Sequence, residues 1–316
     1  MPTLRLGCVF SDRIEALLDG RVQPDGYDLD VRICQAQALF RDVLTTRTHD
    51  IAEMSLGAHV SAIAAGQNDY IGLPVFPSRA FRHSNIYIRA DAGIETPADL
   101  AGKRIGVMDY TQTAGIWVRG LLEDEYGVTR QSIQWVTGGL NTPLAKSRMV
   151  LNVPADIRME RTTGTLDALL KSGEIDAIMS PQAPQGFRDG HPNIRRLFAD
   201  YRQVETDWFQ RTGLFPIMHC AIVKRSLIAA DPLLSGKLLA AFGKALDLAI
   251  TDIDHRDYAK IALPWLMPHA ETVRETIGGP WSYGLETNAA VLKTFLRYCQ
   301  ADGLCGPLML EDIFIT

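Results

Sequence analysis

The stretch Thr96-Pro97-Ala98-Asp99-Leu100-Ala101-Gly102-Lys103-Arg104-Ile105-Gly106-Val107, running on into Tyr110-Thr111-Gln112-Thr113-Ala114, decides the fold. The turn at Thr96-Pro97 leads into a helix start, and Gly102 to Val107 then reads as a short strand bounded by glycine. Tyr110 to Ala114 falls where the next helix begins, and the first N–H groups of a helix have no partner inside it. Strand followed by helix is one βα unit. Gly173-Glu174-Ile175-Asp176-Ala177-Ile178 repeats the turn-into-strand arrangement.

The same alternation extends toward both ends of the chain. Leu4 to Phe10 is a first strand, Ser11-Asp12 a cap candidate, and Arg13 to Leu18 the start of a helix. Leu29 to Ile33 is a second strand, Ala36 to Leu44 a helix by its apolar spacing, and Ile51 to Met54 a short strand ending at Ser55. Ala58 to Ala65 reads as helix, Asn85 to Arg89 and Ile217 to Val223 as strands, and the chain from Pro232 onward as mostly helix. Short strands alternating with helices make an α/β protein with a largely parallel sheet.

At 316 residues, 47% hydrophobic, the chain is longer than one domain needs, so two are expected. A connection leaving the first lobe near Tyr87 and returning near Met218 makes that lobe discontinuous, with residues 1–86 plus 219–316 in one lobe and 87–218 in the other. The net charge of −5 leaves no positive surplus for a phosphate backbone or an anionic bilayer, which argues against nucleic-acid and membrane partners. Leu238 to Ile250 is broken by Lys244 and Asp247 and is too short to span a bilayer. The N-terminal stretch lacks a basic segment and a cleavage site, and the five cysteines, an odd number, contain no CxxC pair. A cytoplasmic protein is expected; whether it forms a homo-oligomer stays open.

Ligands of open α/β sheets bind beyond the carboxyl ends of the strands. The segments in question are Ser11-Asp12-Arg13, Glu53-Met54-Ser55, Tyr110 to Thr113 and Ser180 to Gln182.

Several runs resemble the 4,5-dihydroxyphthalate decarboxylase family, an enzyme branch of the type II periplasmic-binding-protein-like fold. They are Asp19-Gly20-Arg21-Val22, Ala52-Glu53-Met54-Ser55-Leu56, Phe81-Arg82-His83-Ser84, Ile86-Tyr87-Ile88-Arg89, Phe215-Pro216-Ile217-Met218-His219, Trp281-Ser282-Tyr283-Gly284 and Thr294-Phe295-Leu296-Arg297-Tyr298. The TPADL-x-GKR and GEIDA runs are common to solute-binding proteins and speak only for the fold. The resemblance implies two lobes with a ligand cleft between them. It also implies a carboxy-lyase that converts 4,5-dihydroxyphthalate to 3,4-dihydroxybenzoate and carbon dioxide, within the degradation of aromatic compounds. A non-catalytic binding protein for a small anionic ligand is the alternative.

Such a reaction needs anchors for carboxylates, a base for the phenol proton and an acid for the ring carbon. No organic cofactor is expected, because a phenol para to the carboxylate can take the electrons. Arg82 is the first anchor candidate, since a guanidinium pairs with carboxylate bidentately, and Arg13 and Arg79 follow. His83, beside Arg82, is the expected proton donor or acceptor, with a buried histidine holding the hinge as the alternative, and His219 is expected to face the same cleft. The two histidines could divide the proton transfers, or bind a divalent metal with Glu53. Glu53 could take the phenol proton or partner an arginine, and Ser55 could bind a substrate oxygen. Tyr110, Thr111, Gln112 and Thr113 form an anion cradle or an ordinary helix start, with Ser180 in the last post-strand segment. His49, His59, His191, His255 and His269 are read as structural or surface residues, and Trp117, Trp208, Trp281 and Tyr283 as core.

Overall fold

Among the described residues the strands run in chain order as β1 (Thr3–Cys8), β2 (Asp28–Ile33), β3 (Ile51–Ser55), β4 (Tyr70–Arg79), β5 (Ile86–Arg89), β6 (Arg104–Val107), β7 (Gln134–Gly139), β8 (Met159–Thr165), β9 (Ala177–Met179), β10 (Ile194–Arg196) and β11 (Ile217–Lys224). The structure, a computed structural model, describes residues 1–67, 69–144, 153–254, 260–279 and 281–315. The chain divides into two units: Met1–Arg79, Ile217–Leu292 and Leu308–Thr316 form the first, and Ala80–Pro216 with Lys293–Pro307 the second.

In the first unit the sheet order is β2-β1-β3-β11-β4, with β1 parallel to β2 and β3 and with β11 antiparallel to β3 and β4. Strands β1, β3 and β4 therefore end on the same side, where β11 begins. Leu6, Ile51, Leu73, Val75 and Val223 from the sheet pack with Ile14 and Leu17 of the helix Asp12–Leu18 and with Leu238 and Phe242 of the helix Leu234–Ile253. Edge strand β4 contains Pro74 and Pro77, which a central strand would not tolerate because proline cannot donate to the ladder. Chain segments from farther on cover that edge: Ile315 N–H donates to the Gly72 carbonyl and Gly284 N–H to that of Pro74. At Gly72 the Phe314 ring lies within 2.5 Å of where a Cβ would stand, so only glycine fits.

In the second unit the order is β10-β5-β9-β6-β7-β8, with β9, β6, β7 and β8 mutually parallel and with β5 and β10 antiparallel at one edge. Ile86, Ile88, Ile105, Val107, Val118, Leu122 and Trp135 form its core. A buried charge cluster sits in this interior: Asp302 meets Arg119 at 2.5 Å and Arg130 at 2.8 Å, and the Arg119 and Asp302 side chains are both 0% exposed.

The unit boundaries differ from the sequence expectation. The second unit begins at Ala80 rather than 87 and also takes Lys293–Pro307. The cause is packing. Phe81 lies 4.8 Å from the Phe215 ring and edge-on to Trp208, while Phe295 and Tyr298 pack on Trp117 and Asp302 supplies the acid for Arg119.

Candidate active site

His219 stands on β11 opposite Ser55 of β3 and Ser78 of β4, and the β11–β4 register is irregular on both sides of it. Irregularities of this kind re-aim a side chain at the end of a strand. Glu53 lies two residues before Ser55, on the same face of β3, and faces Ala221; it therefore meets His219 along the diagonal of the strand pair. Its Oε1 is 2.6 Å from His219 Nδ1, and its Oε2 accepts the Val9 N–H at 2.9 Å. A carboxylate only accepts, so Nδ1 is the donor and Nε2 is the nitrogen left for a ligand. Among the described residues Nε2 has no hydrogen-bond partner, and the imidazole is 22% exposed against 5% for the Glu53 side chain. Phe40 holds the ring edge-on at 5.0 Å.

Two arginines share this end of the sheet. Arg13, just beyond β1, places its guanidinium 4.3 Å from the Trp281 ring centroid, donates from Nε to the Pro77 carbonyl at 3.0 Å and pairs with Asp12 at 2.6 Å. Arg79 ends β4, is 7% exposed, and reaches the Ser282 carbonyl at 3.4 Å. Burial lowers its pKa to about 10, so it is still a cation at neutral pH. Ser55 accepts the Ala58 N–H at 3.5 Å and so caps the helix Leu56–Ala64. Arg13, Glu53, Ser55, Arg79 and His219 thus come together in one unit.

The remaining sequence candidates lie in the second unit. His83 is 1% exposed, with its ring 5.3 Å from Phe198 and 5.6 Å from Trp208. Burial lowers its pKa to about 4, and neither ring nitrogen has a hydrogen-bond partner among the described residues. This is the packing of an interior side chain. Arg82 donates to Asn85 at 2.9 Å, a local bond that stabilises the turn before β5. Tyr110 is 0% exposed beneath the Arg119 guanidinium, at 3.8 Å, and belongs to the core rather than to an anion cradle. Thr111 donates to Asp109, Gln112 is the N-cap of the helix Thr113–Tyr126, Thr113 is 3% exposed, and Ser180 accepts the Gln182 N–H. These contacts favour the ordinary helix-start reading.

Among the described residues no three His, Cys, Asp or Glu side chains come together in a way that could hold a metal ion. His59 meets the Ile313 carbonyl, His49 lies by Asp42, His191 accepts from Asn193 and His269 is exposed, whereas His255 lies outside the described residues. Sequence reasoning missed the Val9 N–H that holds Glu53 and the Trp281 ring that stacks on Arg13. The run Trp281-Ser282-Tyr283-Gly284 was visible as a motif, but aromatic residues there read equally well as core.

The NMT1/THI5-like family model matches residues 72–179. A 4,5-dihydroxyphthalate decarboxylase from Comamonas testosteroni is 41% identical over 296 residues, which cover 93% of this chain and 90% of that protein. The chain belongs to the 4,5-dihydroxyphthalate decarboxylase family. A second member, from Pseudomonas putida, is 44% identical over 200 residues, covering 63% of this chain and 78% of that protein. The fold of this decarboxylase-family chain is that of the type II periplasmic binding proteins. The periplasmic sulfonate-binding protein SsuA from Methylobacillus flagellatus KT superposes with a TM-score of 0.55 at 13% identity, covering 99% of this chain and 91% of that one. Both halves of the Glu53–His219 pair come from the two runs, EMSL and FPIMH, that carried the resemblance to the decarboxylase family.

Proposed function

We propose that this protein is a carboxy-lyase that converts 4,5-dihydroxyphthalate to 3,4-dihydroxybenzoate and carbon dioxide, with His219 and Glu53 handling the protons. The observation that carries the assignment is the 2.6 Å contact between Glu53 and His219 Nδ1, which leaves Nε2 open at the sheet end that also carries Arg13 and Arg79. The names of relatives that share 41–44% identity supply the substrate.

In 4,5-dihydroxyphthalate each carboxylate-bearing carbon lies para to a phenol. Removal of that phenol proton pushes an electron pair to the para carbon, which takes up a proton. The bond to the carboxylate then breaks, its electron pair restores the aromatic ring and leaves as a phenolate on the oxygen, and the oxygen regains a proton. One proton from solvent is consumed overall. His219 Nε2 carries this traffic, since imidazole both accepts and donates near neutral pH. Glu53 fixes the ring orientation and stabilises the imidazolium through Nδ1–H. Arg79 and Arg13 attract the dicarboxylate. Electrons stay within the substrate ring, so the step calls for no organic cofactor.

A cytoplasmic location and a place in aromatic-compound degradation complete this reading. All five cysteines are free, which suits a reducing compartment, and among the described residues no helix is long and apolar enough to cross a membrane. The test is to incubate the purified protein with a panel of hydroxylated aromatic acids, with and without chelator, and to measure carbon dioxide and 3,4-dihydroxybenzoate. Release from 4,5-dihydroxyphthalate is expected. Tight binding with no release would make the protein a solute-binding protein.

A further inference from the structure

The Tyr283 hydroxyl is shielded from solvent and has no hydrogen-bond partner among the described residues. Buried hydroxyls without partners are rare in folded proteins, and each calls for an explanation. The chain on both flanks of the residue is fastened. On one side the Trp281 indole N–H donates to the Phe76 carbonyl at 3.2 Å. On the other, Gly284 N–H donates to the Pro74 carbonyl at 2.7 Å. Asn288 ties the segment from within, donating to the Ser282 carbonyl at 3.2 Å and to that of Gly284 at 2.8 Å. Gly284 has φ of +101°, a conformation that glycine adopts without strain.

The residues just before Tyr283 touch both arginines, Trp281 stacking 4.3 Å from the Arg13 guanidinium and the Ser282 carbonyl accepting from Arg79 at 3.4 Å, and the nearby carboxylates are Asp12 and Glu53. Both carboxylates are already engaged. Asp12 pairs with Arg13 at 2.6 Å, and the two oxygens of Glu53 take His219 and the Val9 N–H. The phenol is thus a donor close to two cations, with Asp12 and Glu53 both engaged elsewhere. A carboxylate brought in from outside would meet two arginines and one waiting O–H.

We infer that Tyr283 contacts the substrate, its hydroxyl donating a hydrogen bond to a carboxylate oxygen of the aromatic diacid beside the His219–Glu53 pair. The identity of the diacid rests on the decarboxylase assignment; the contact itself rests on the fastened, unpaired hydroxyl. Tyr283→Phe removes the one oxygen and keeps the ring, so the fold is preserved. A hydrogen bond to a charged group corresponds to roughly a tenfold to hundredfold change in affinity.

The experiment compares wild type and Tyr283→Phe in three measurements: calorimetric affinity for phthalate, kcat/KM on 4,5-dihydroxyphthalate, and melting temperature. The expected result is a tenfold to hundredfold loss in phthalate affinity and in kcat/KM, with a melting temperature no lower than wild type. Phthalate affinity within twofold of wild type overturns the inference, as does a wild type that does not bind phthalate. A wild type that binds phthalate and releases no carbon dioxide overturns the decarboxylase assignment alone, and the affinity ratio still decides the role of Tyr283.

Discussion

Glu53 and His219 are 166 residues apart in the chain and 2.6 Å apart in space, joined across the β3–β11 pairing. Glu53 is held in turn by the Val9 N–H beyond the end of β1, so three neighbouring strands fix one imidazole. A group meant to deliver a proton to a specific carbon needs that restraint, because a free histidine would spend its basicity in many orientations.

His219→Asn should retain substrate binding and lose most turnover, in the range of about 10²–10⁴-fold for a general acid–base group. Glu53→Gln keeps a partner for Nδ1 but removes the charge that steadies the imidazolium, so its turnover should fall less. His83→Phe, which replaces an interior ring by a ring, should leave turnover within a few-fold of wild type. Rates of carbon dioxide release for the three variants check this order; a loss at His83 as large as that at His219 would reject it.

Asp302→Asn should destabilise the second unit strongly. It leaves Arg119 and Arg130, which are 1% and 3% exposed, without their shared carboxylate. Removing one partner of a buried pair costs about 3–5 kcal/mol. Urea unfolding followed by circular dichroism would measure it, and a change under about 1 kcal/mol would show that the two arginines find other partners.

The alternation that marks an α/β chain was legible, and strands such as Ile51–Ser55 and Ile217–Lys224 fall within a residue or two of the reading. Strand β4 was not, since Pro74 and Pro77 argue against a strand until its edge position is known. Glu53 and His219 were legible as separate candidates, because each lies in a distinctive run at a strand end. Their pairing was not, because it depends on β11 inserting between β3 and β4. The surroundings of His83 were not legible for a related reason. Local sequence shows its neighbour Arg82, whereas Phe198 and Trp208, which enclose it, come from more than a hundred residues further along.

Thiol labelling of the native protein should be confined to Cys34 and Cys305. Cys8, Cys220 and Cys299 are buried, and burial raises the Cys8 pKa to about 12, so little thiolate forms. Mass spectrometry after brief treatment with a maleimide reads the sites directly; rapid modification at Cys8 would mean that the first unit opens readily.

The last prediction concerns Glu205, whose Oε1 lies 3.8 Å from His83 Nδ1 and accepts the Ser84 N–H at 3.3 Å. Burial pushes its pKa up to about 7, against the opposing pull of the Ser84 and His83 N–H groups and the charges of Arg82 and Arg196. The unfolded value is near 4.5, so between 4.5 and about 7 the folded chain holds a proton that the unfolded chain releases. Its contribution is therefore complete below pH 4.5 and is lost as the pH rises to about 7. His83 acts in the opposite sense: its folded value of about 4 lies below the ordinary 6.5, so its contribution is present above pH 6.5 and lost on acidification. Glu205→Gln separates the two, because glutamine can still accept the Ser84 N–H and cannot ionise. The melting temperature of the variant relative to wild type should climb between pH 4.5 and 7 and level off above that. A difference independent of pH would show that Glu205 ionises as freely in the folded chain as in the unfolded one.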